Sequence, residues 1–139
     1  MDAEAWELSD GTVLEYDEFA SYLESAIEQI PDQFASAVEN VAFLALAEPD
    51  AHDFQRLKLS HPGREFGNGE ILGLYTGVPI TKRSFDFSGE PCIIKLFAGP
   101  ISRYCGNKER VERQVYRTLV HEVGHYFGLN DEELRRMGY

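Results

Sequence analysis

Apolar residues recur at Phe19, Tyr22, Leu23, Ala26, Ile27 and Ile30, at offsets of three, four, seven, eight and eleven. That spacing predicts an amphipathic helix, and Pro31 stops it. A short helix is expected next, over 32–39. Residues 41–47 form an apolar run closed by Glu48-Pro49, and its shortness and the proline predict a buried strand. Residues 51–59 carry no decisive period. The stretch 61–69 holds three glycines and a proline in nine residues, so a loop is expected there. Strands follow at 71–75 and 93–97, with a turn at 76–79 after the first. Val111, Val115, Leu119, Val123 and Phe127, widened by Tyr116 and Val120, then predict one long amphipathic helix over 108–127. The order of helix, strands, long helix and short helix implies an α+β fold. A small sheet of about three to four strands would pack on the apolar face of the long helix. No internal repeat is visible.

The polar side of that helix carries the chemistry. Residues 121–131 read H-E-x-x-H-x-x-G-x-x-D. At about 100° per residue, His121 and His125 fall opposite the apolar stripe, in line with Gln114 and Thr118. Two histidines four apart on a helix stand one turn above each other and can present two nitrogens to one zinc ion, about 2.0–2.1 Å away. Glu122, beside them, can take a proton from a water that the metal polarises. Gly128 can adopt positive φ and turn the chain back toward the metal. Chance gives H-E-x-x-H in about half a percent of chains this long, and the added Gly and Asp lower that roughly two-hundredfold. A hydrogen-bonded core role suits the histidines poorly, because both avoid the apolar face; a solvated polar face is the plain alternative.

Fourteen residues follow His125, leaving Asp131, Glu132 and Glu133 as downstream third ligands. The three acids also suit the start of a helix, with Asn130 as N-cap and Glu133 as its capping-box partner. The roles are compatible, and motif spacing favours Asp131 over Glu132 and Glu133.

With these residues in place, the chain resembles the small bacterial zincin-like metallopeptidases, or minimal zincins. The resemblance covers most of the sequence. Beyond the zinc motif it takes in Ile30-Pro31, Asn40-Val41, Glu48-Pro49, Leu72-Gly73-Leu74-Tyr75 with Gly77-Val78-Pro79 and Arg83, Leu96-Phe97, and Gly138-Tyr139. It departs from the family pattern at Glu90-Pro91-Cys92, where a Pro-Asp pair is expected. The family implies His121, His125 and Asp131 as zinc ligands and Glu122 as general base in hydrolysis of a peptide bond. By the same resemblance, the segment around 72–79 is the expected substrate-facing sheet edge, with the preceding Gly-rich loop either a lid or a plain connection. Candidates to stabilise the developing oxyanion are Tyr75, Tyr126, Tyr139, His52 and His61, and Met137 is placed where it can underlie the metal. Each is otherwise a packing or surface residue.

Length and composition are those of one domain over 1–139. The N-terminus is acidic, without the basic and apolar stretches of a signal peptide, and the longest apolar run is too short to span a membrane, so the expected location is cytoplasmic with no membrane partner. Cys92 and Cys105 form neither a disulfide framework nor a zinc cluster; Cys92 reads as a small buried hydrophobe and Cys105 as a weak alternative ligand. The net charge of −11 is uneven: residues 1–55 hold 14 acids and no Lys or Arg, whereas 56–139 hold 10 acids against 13 bases. That acidity speaks against nucleic acid as a partner and leaves a peptide or protein substrate. Its plain consequence is solubility, with docking of the acidic first helix against Arg110, Arg113 and Arg117 as a second. Two other classes share parts of the pattern. A zinc-binding regulatory module without turnover would keep the ligands and not need Glu122. A metal-dependent RNA-processing hydrolase carries ligands at the same offsets, but with a small residue after the first histidine and a third histidine where Asp131 stands.

Overall fold

The computed structural model describes residues 4–58, 64–76 and 92–139. Two short strands, β1 (Ala5–Glu7) and β2 (Val13–Glu15), pair antiparallel and lead into helix α1 (Tyr16–Glu28). Glu15 and Glu18 close a capping box at its start. Helix α2 (Asp32–Ala35) runs into a 3-10 turn over Ser36–Val38, as the 32–39 pattern predicts. Strand β3 (Ala42–Leu46) falls inside the expected strand. The undecided stretch after it is helix α3 (Ala51–Lys58). Its start is held by Asp50 and Asp53, each accepting a 2.9 Å hydrogen bond from the other's backbone N–H.

The sequence reading is corrected at the Gly-rich stretch. Residues 64–67 form strand β4 (Arg64–Gly67), joined tightly to β5 (Glu70–Thr76). Asn68 and Gly69 lie at φ of 52° and 78°, the twisted two-residue turn that Asn-Gly favours. Neither a loop nor a lid describes 64–69. Strand β6 (Ile93–Phe97) then runs into helix α4 (Ala98–Tyr104), which hydropathy did not indicate. Helix α5 (Lys108–Tyr126) matches the long helix within a residue, and α6 (Asp131–Arg136) follows. The expected turn residues 77–79, Arg83, the start of the Gly-rich stretch at 61–63 and Glu90-Pro91 lie outside the described residues.

The main sheet has four strands in the order β3-β6-β5-β4, with β3 and β6 parallel and the other pairs antiparallel. β5 is therefore an inner strand: β4 flanks it as far as Leu74 and β6 flanks Gly73 to Thr76. The expected open edge is not found as far as Leu74, because the Asn68-Gly69 turn folds β4 onto that side; residues 77–79 of the expected edge lie outside the described residues. A register shift in this hairpin gives β5 one extra residue, Leu72, against β4. The bulge explains why Ile71 to Tyr75 are all buried: Ile71 and Leu74 join Phe97 on the outer face, whereas Leu72 and Tyr75 enter the main core.

That core lies between α1, α5 and the inner face of the sheet, and includes Phe19, Leu23, Val115, Leu119, Ile94 and Leu96. Each fully buried aliphatic side chain here contributes about 1.5–3 kcal/mol. Across α1 and α5, Lys108 pairs with Glu18 at 2.8 Å; Arg113 pairs within α5, with Glu109. Of the arginines expected to dock the first helix, Arg113 turns to its own helix, and Lys108 at the helix start makes a contact with α1. On the outer face, Lys95 of β6 reaches Asp53 of α3 at 2.7 Å, and Asp53 is 1% exposed. No helix among the described residues is long and apolar enough to cross a membrane.

Removing one member of a buried pair strands the other charge. Asp53→Ala also removes the bond to the N–H of Asp50. It is expected to cost about 3 kcal/mol, read as a lower urea midpoint with an unchanged slope.

Candidate metal centre

Helix α5 lies unusually close to the sheet, and its polar side is not left to solvent. A Cβ on Gly73 of β5 would come within 2.5 Å of Thr118 Cγ2 and 3.5 Å of Glu122 Cγ. With only hydrogen there, both side chains pack against the strand and neither has exposed surface. Thr118 accepts a 2.9 Å hydrogen bond from Gln114 Nε2, one turn earlier. Tyr75 is 1% exposed, its ring 6.5 Å from that of Tyr126. Burial, and then the nearby Cys92 thiol and Glu122 carboxylate, push the Tyr75 phenol well above its ordinary range.

The end of α5 is a Schellman motif. Gly128 lies at φ 101°, its N–H bonding to His125 O and that of Leu129 to Gly124 O. The positive φ expected of Gly128 turns the chain back over the helix it has just left. Asn130 then caps α6, its side chain accepting from Glu133 N while Glu133 returns to Asn130 N. Leu134 seats α6 on Gly124, where a Cβ would lie 2.2 Å from Leu134 Cδ2. These acids divide their work. Glu133 is spent on the capping box, Glu132 pairs with Arg136 at 2.7 Å, and Asp131, although exposed, turns toward the histidines.

Asp131 Oδ1 lies 2.9 Å from His121 Nε2 and 3.0 Å from His125 Nε2. The two imidazole rings are 4.8 Å apart and nearly perpendicular. Among the described residues, these three form the one group of His, Cys, Asp or Glu side chains with donor atoms within reach of a common metal ion, all inside 4.8 Å. Neither cysteine belongs to it. Cys92 is buried in the core, and Cys105 is a buried thiol whose S–H points to Arg110 O at 3.6 Å.

The tautomer of His125 follows from its neighbours. Nδ1 is 2.9 Å from the carbonyl of Leu129, and a carbonyl only accepts, so Nδ1 carries the proton. Nε2 of the neutral ring is then a bare lone pair facing a carboxylate oxygen. Burial, with His121 nearby, holds His125 below the ordinary histidine range and so favours that neutral form. Desolvation pulls Asp131 upward, but the hydrogen bond from His121 and the two adjacent rings outweigh it and leave the carboxyl below its usual range.

A model of the zincin-like metallopeptidase family matches residues 38–139, which takes in the sheet, α5 and the whole H-E-x-x-H-x-x-G-x-x-D run. The chain belongs to that family. Among solved structures, this zincin is similar in fold to a conserved hypothetical protein from Thermo thermophilus. The two are 24% identical with a TM-score of 0.50, and the match covers 88% of this chain and 98% of that one. No curated protein matches the zincin.

Other residues singled out in the sequence fall elsewhere. Tyr139 packs on Phe34, His52 is exposed at the start of α3, and Met137 is 41% exposed at the end of α6. His61 lies outside the described residues. The sequence reading named Gly73 only within the family pattern and missed its role, a close approach between two elements that hydropathy cannot register.

Gly128→Ala forces a β-carbon into the left-handed region, at a cost of about 1–2 kcal/mol. The variant should melt several degrees lower and retain metal more weakly, because Asp131 is displaced with the turn. Gly128→Asn should recover part of both losses in thermal melts and metal titrations.

Proposed function

We propose that this zincin is a zinc-dependent peptidase in which His121, His125 and Asp131 hold the metal and Glu122 is the general base. The observation that carries the reading is the meeting of two acceptors, the His125 Nε2 lone pair and Asp131 Oδ1, at 3.0 Å. Two lone pairs at that distance repel unless a proton or a cation lies between them. The buried ring disfavours the proton, so a cation fits. Two imidazole nitrogens and one carboxylate oxygen are the donor set of a catalytic zinc, which keeps a further position open. The bond from His125 Nδ1–H to Leu129 O orients the ring as metal-bound histidines are commonly oriented.

Zinc bound there would supply a Lewis acid for water and for the scissile carbonyl. The remaining work is the protein's own. Glu122, one residue on from His121, has a carboxylate that takes a proton from the attacking water and returns it to the departing amine. Its burial against Gly73 keeps bulk water from competing for that proton. Asp131 is anionic, so it lowers the charge of the site relative to three neutral histidines and makes the metal a weaker acid. Peptide or protein is the substrate class that the family supports.

Glu122→Gln separates this reading from a zinc-binding module without turnover. Hydrolysis of an unbiased peptide library should fall by about 10²–10⁴-fold while zinc stays near one per chain by elemental analysis. A wild-type protein with full zinc and no cleavage of any peptide would sink the peptidase reading and leave the module.

Metal retention should also depend on pH. Protonation of either imidazole removes a ligand, so affinity falls as pH falls. With His125 held neutral below its ordinary range, zinc release on acidification should have its midpoint below about pH 6.5, followed with a zinc-sensitive dye. A midpoint well above that value would contradict the ligand set.

A further inference from the structure

A cleft of about 450 Å³ lies between the β1–β2 hairpin and the end of α4, lined by residues 7–9 and Gly11 on one side and by Ser102, Arg103 and Cys105 on the other. It is remote from the metal centre. From Lys108, at its start, α5 advances roughly 20 Å before it reaches His121. Ser102 is 3% exposed, and its hydroxyl makes no hydrogen bond with the protein. Native proteins rarely leave such a group unmatched. The other polar groups around the cleft have already given their protons. Ser9 donates to Gly106 O at 3.4 Å, and the Cys105 thiol donates to Arg110 O. Arg103 is held by two carboxylates, Glu48 at 2.6 Å and Glu70 at 2.7 Å, with Nε, Nη1 and Nη2 all engaged. Glu7 is exposed and has no ion pair among the described residues. What the cleft has to spare is therefore acceptors: the Glu7 carboxylate, the lone pairs of Ser9 Oγ and the Ser102 hydroxyl. Its charge has the same sense, because two carboxylates surround the one guanidinium and Glu7 adds a third anion.

We infer that this cleft binds an arginine side chain of a partner polypeptide, with the guanidinium set between Glu7 and Ser102. Nothing in that role depends on peptide hydrolysis. A guanidinium carries its N–H donors spread in a plane, so it can meet a carboxylate and two hydroxyls together, whereas an ammonium offers fewer donors from a single point. The surroundings favour a cation as well, since residues 1–55 hold 14 acids and no Lys or Arg. A free small molecule suits the cleft less well. Sites for small ligands enclose most of the ligand, and exposed Glu7, Ser9 and Gly11 leave this one open. A side chain that arrives on a polypeptide is held by its own chain and needs no such enclosure. A metal ion suits it no better, because one unpaired carboxylate falls well short of the about six to eight oxygens that calcium takes.

The test is a titration of the full chain followed by backbone NMR, which reads weak binding and needs no catalysis. An end-blocked peptide with one arginine among glycines should move the amide signals of Glu7, Ser9, Gly11, Ser102 and Gly106 and leave those of His121 to Asp131 in place. The same peptide with citrulline, which keeps the shape and loses the charge, should move none of them. Glu7→Gln should weaken binding by about tenfold. Ser102→Ala should weaken it by about fivefold and yet melt no lower than wild type, because a buried hydroxyl without a protein partner does not support the fold. The site is refuted if the arginine and citrulline peptides bind alike, if both variants bind as wild type does, or if the moving signals centre on His121 to Asp131. Free L-arginine binding more tightly than the peptide overturns the polypeptide partner, and displacement of the peptide by calcium chloride overturns the arginine site in favour of a metal ion.

Discussion

The centre depends on one close approach, between the backbone of β5 at Gly73 and the side of α5 that carries Thr118 and Glu122. A helix normally lays its apolar stripe on a sheet and leaves its polar side wet. Here the sheet also covers the first row of the polar side, and the histidines stand on the next row. A carboxylate with no exposed surface is costly by several kcal/mol unless charge is supplied beside it. Burial of Glu122 beside the two histidines is therefore a result of this packing.

Asp131, the proposed third ligand, is placed by a different device. The Schellman turn at Gly128 reverses the chain, Asn130 restarts it as a helix, and Leu134 fastens that helix to Gly124. Each step is local, so Asp131 reaches the histidines without any long-range loop. The same turn presents the Leu129 carbonyl to His125. One short connection thus supplies both the Asp131 carboxylate and the orientation of the His125 ring.

Much of this was readable in the sequence, and the failures have a common cause. The long helix, the Gly128 turn, the Asn130 cap and the meeting of His121, His125 and Asp131 follow from spacings within about ten residues, where helix periodicity and capping chemistry act directly. The hairpin of β4 and β5 was signalled by Asn68-Gly69, but the surrounding glycines were read as looseness instead of a tight turn. Helix α4 has Gly99 and Pro100 in its first turn and shows no helical stripe. The burial of His125 depends on elements distant in sequence. So does the use of Gly73, since nothing near either residue encodes what will lie against it.

The bulge at Leu72 gives the hairpin a property beyond its shape. It takes up one residue between the Asn68-Gly69 turn and Tyr75, changing the phase of β5 so that Ile71 and Leu74 share one face while Tyr75 turns to the other. Because a bulge pins register, it separates the tip of the hairpin from the end beside Glu122. The tip can lengthen or shorten without rotating Tyr75 away from Glu122. A single deletion between Ile71 and Leu74 has the opposite effect, exchanging the two faces of everything on one side of it. The hairpin is thus free to vary at one end and frozen at the other.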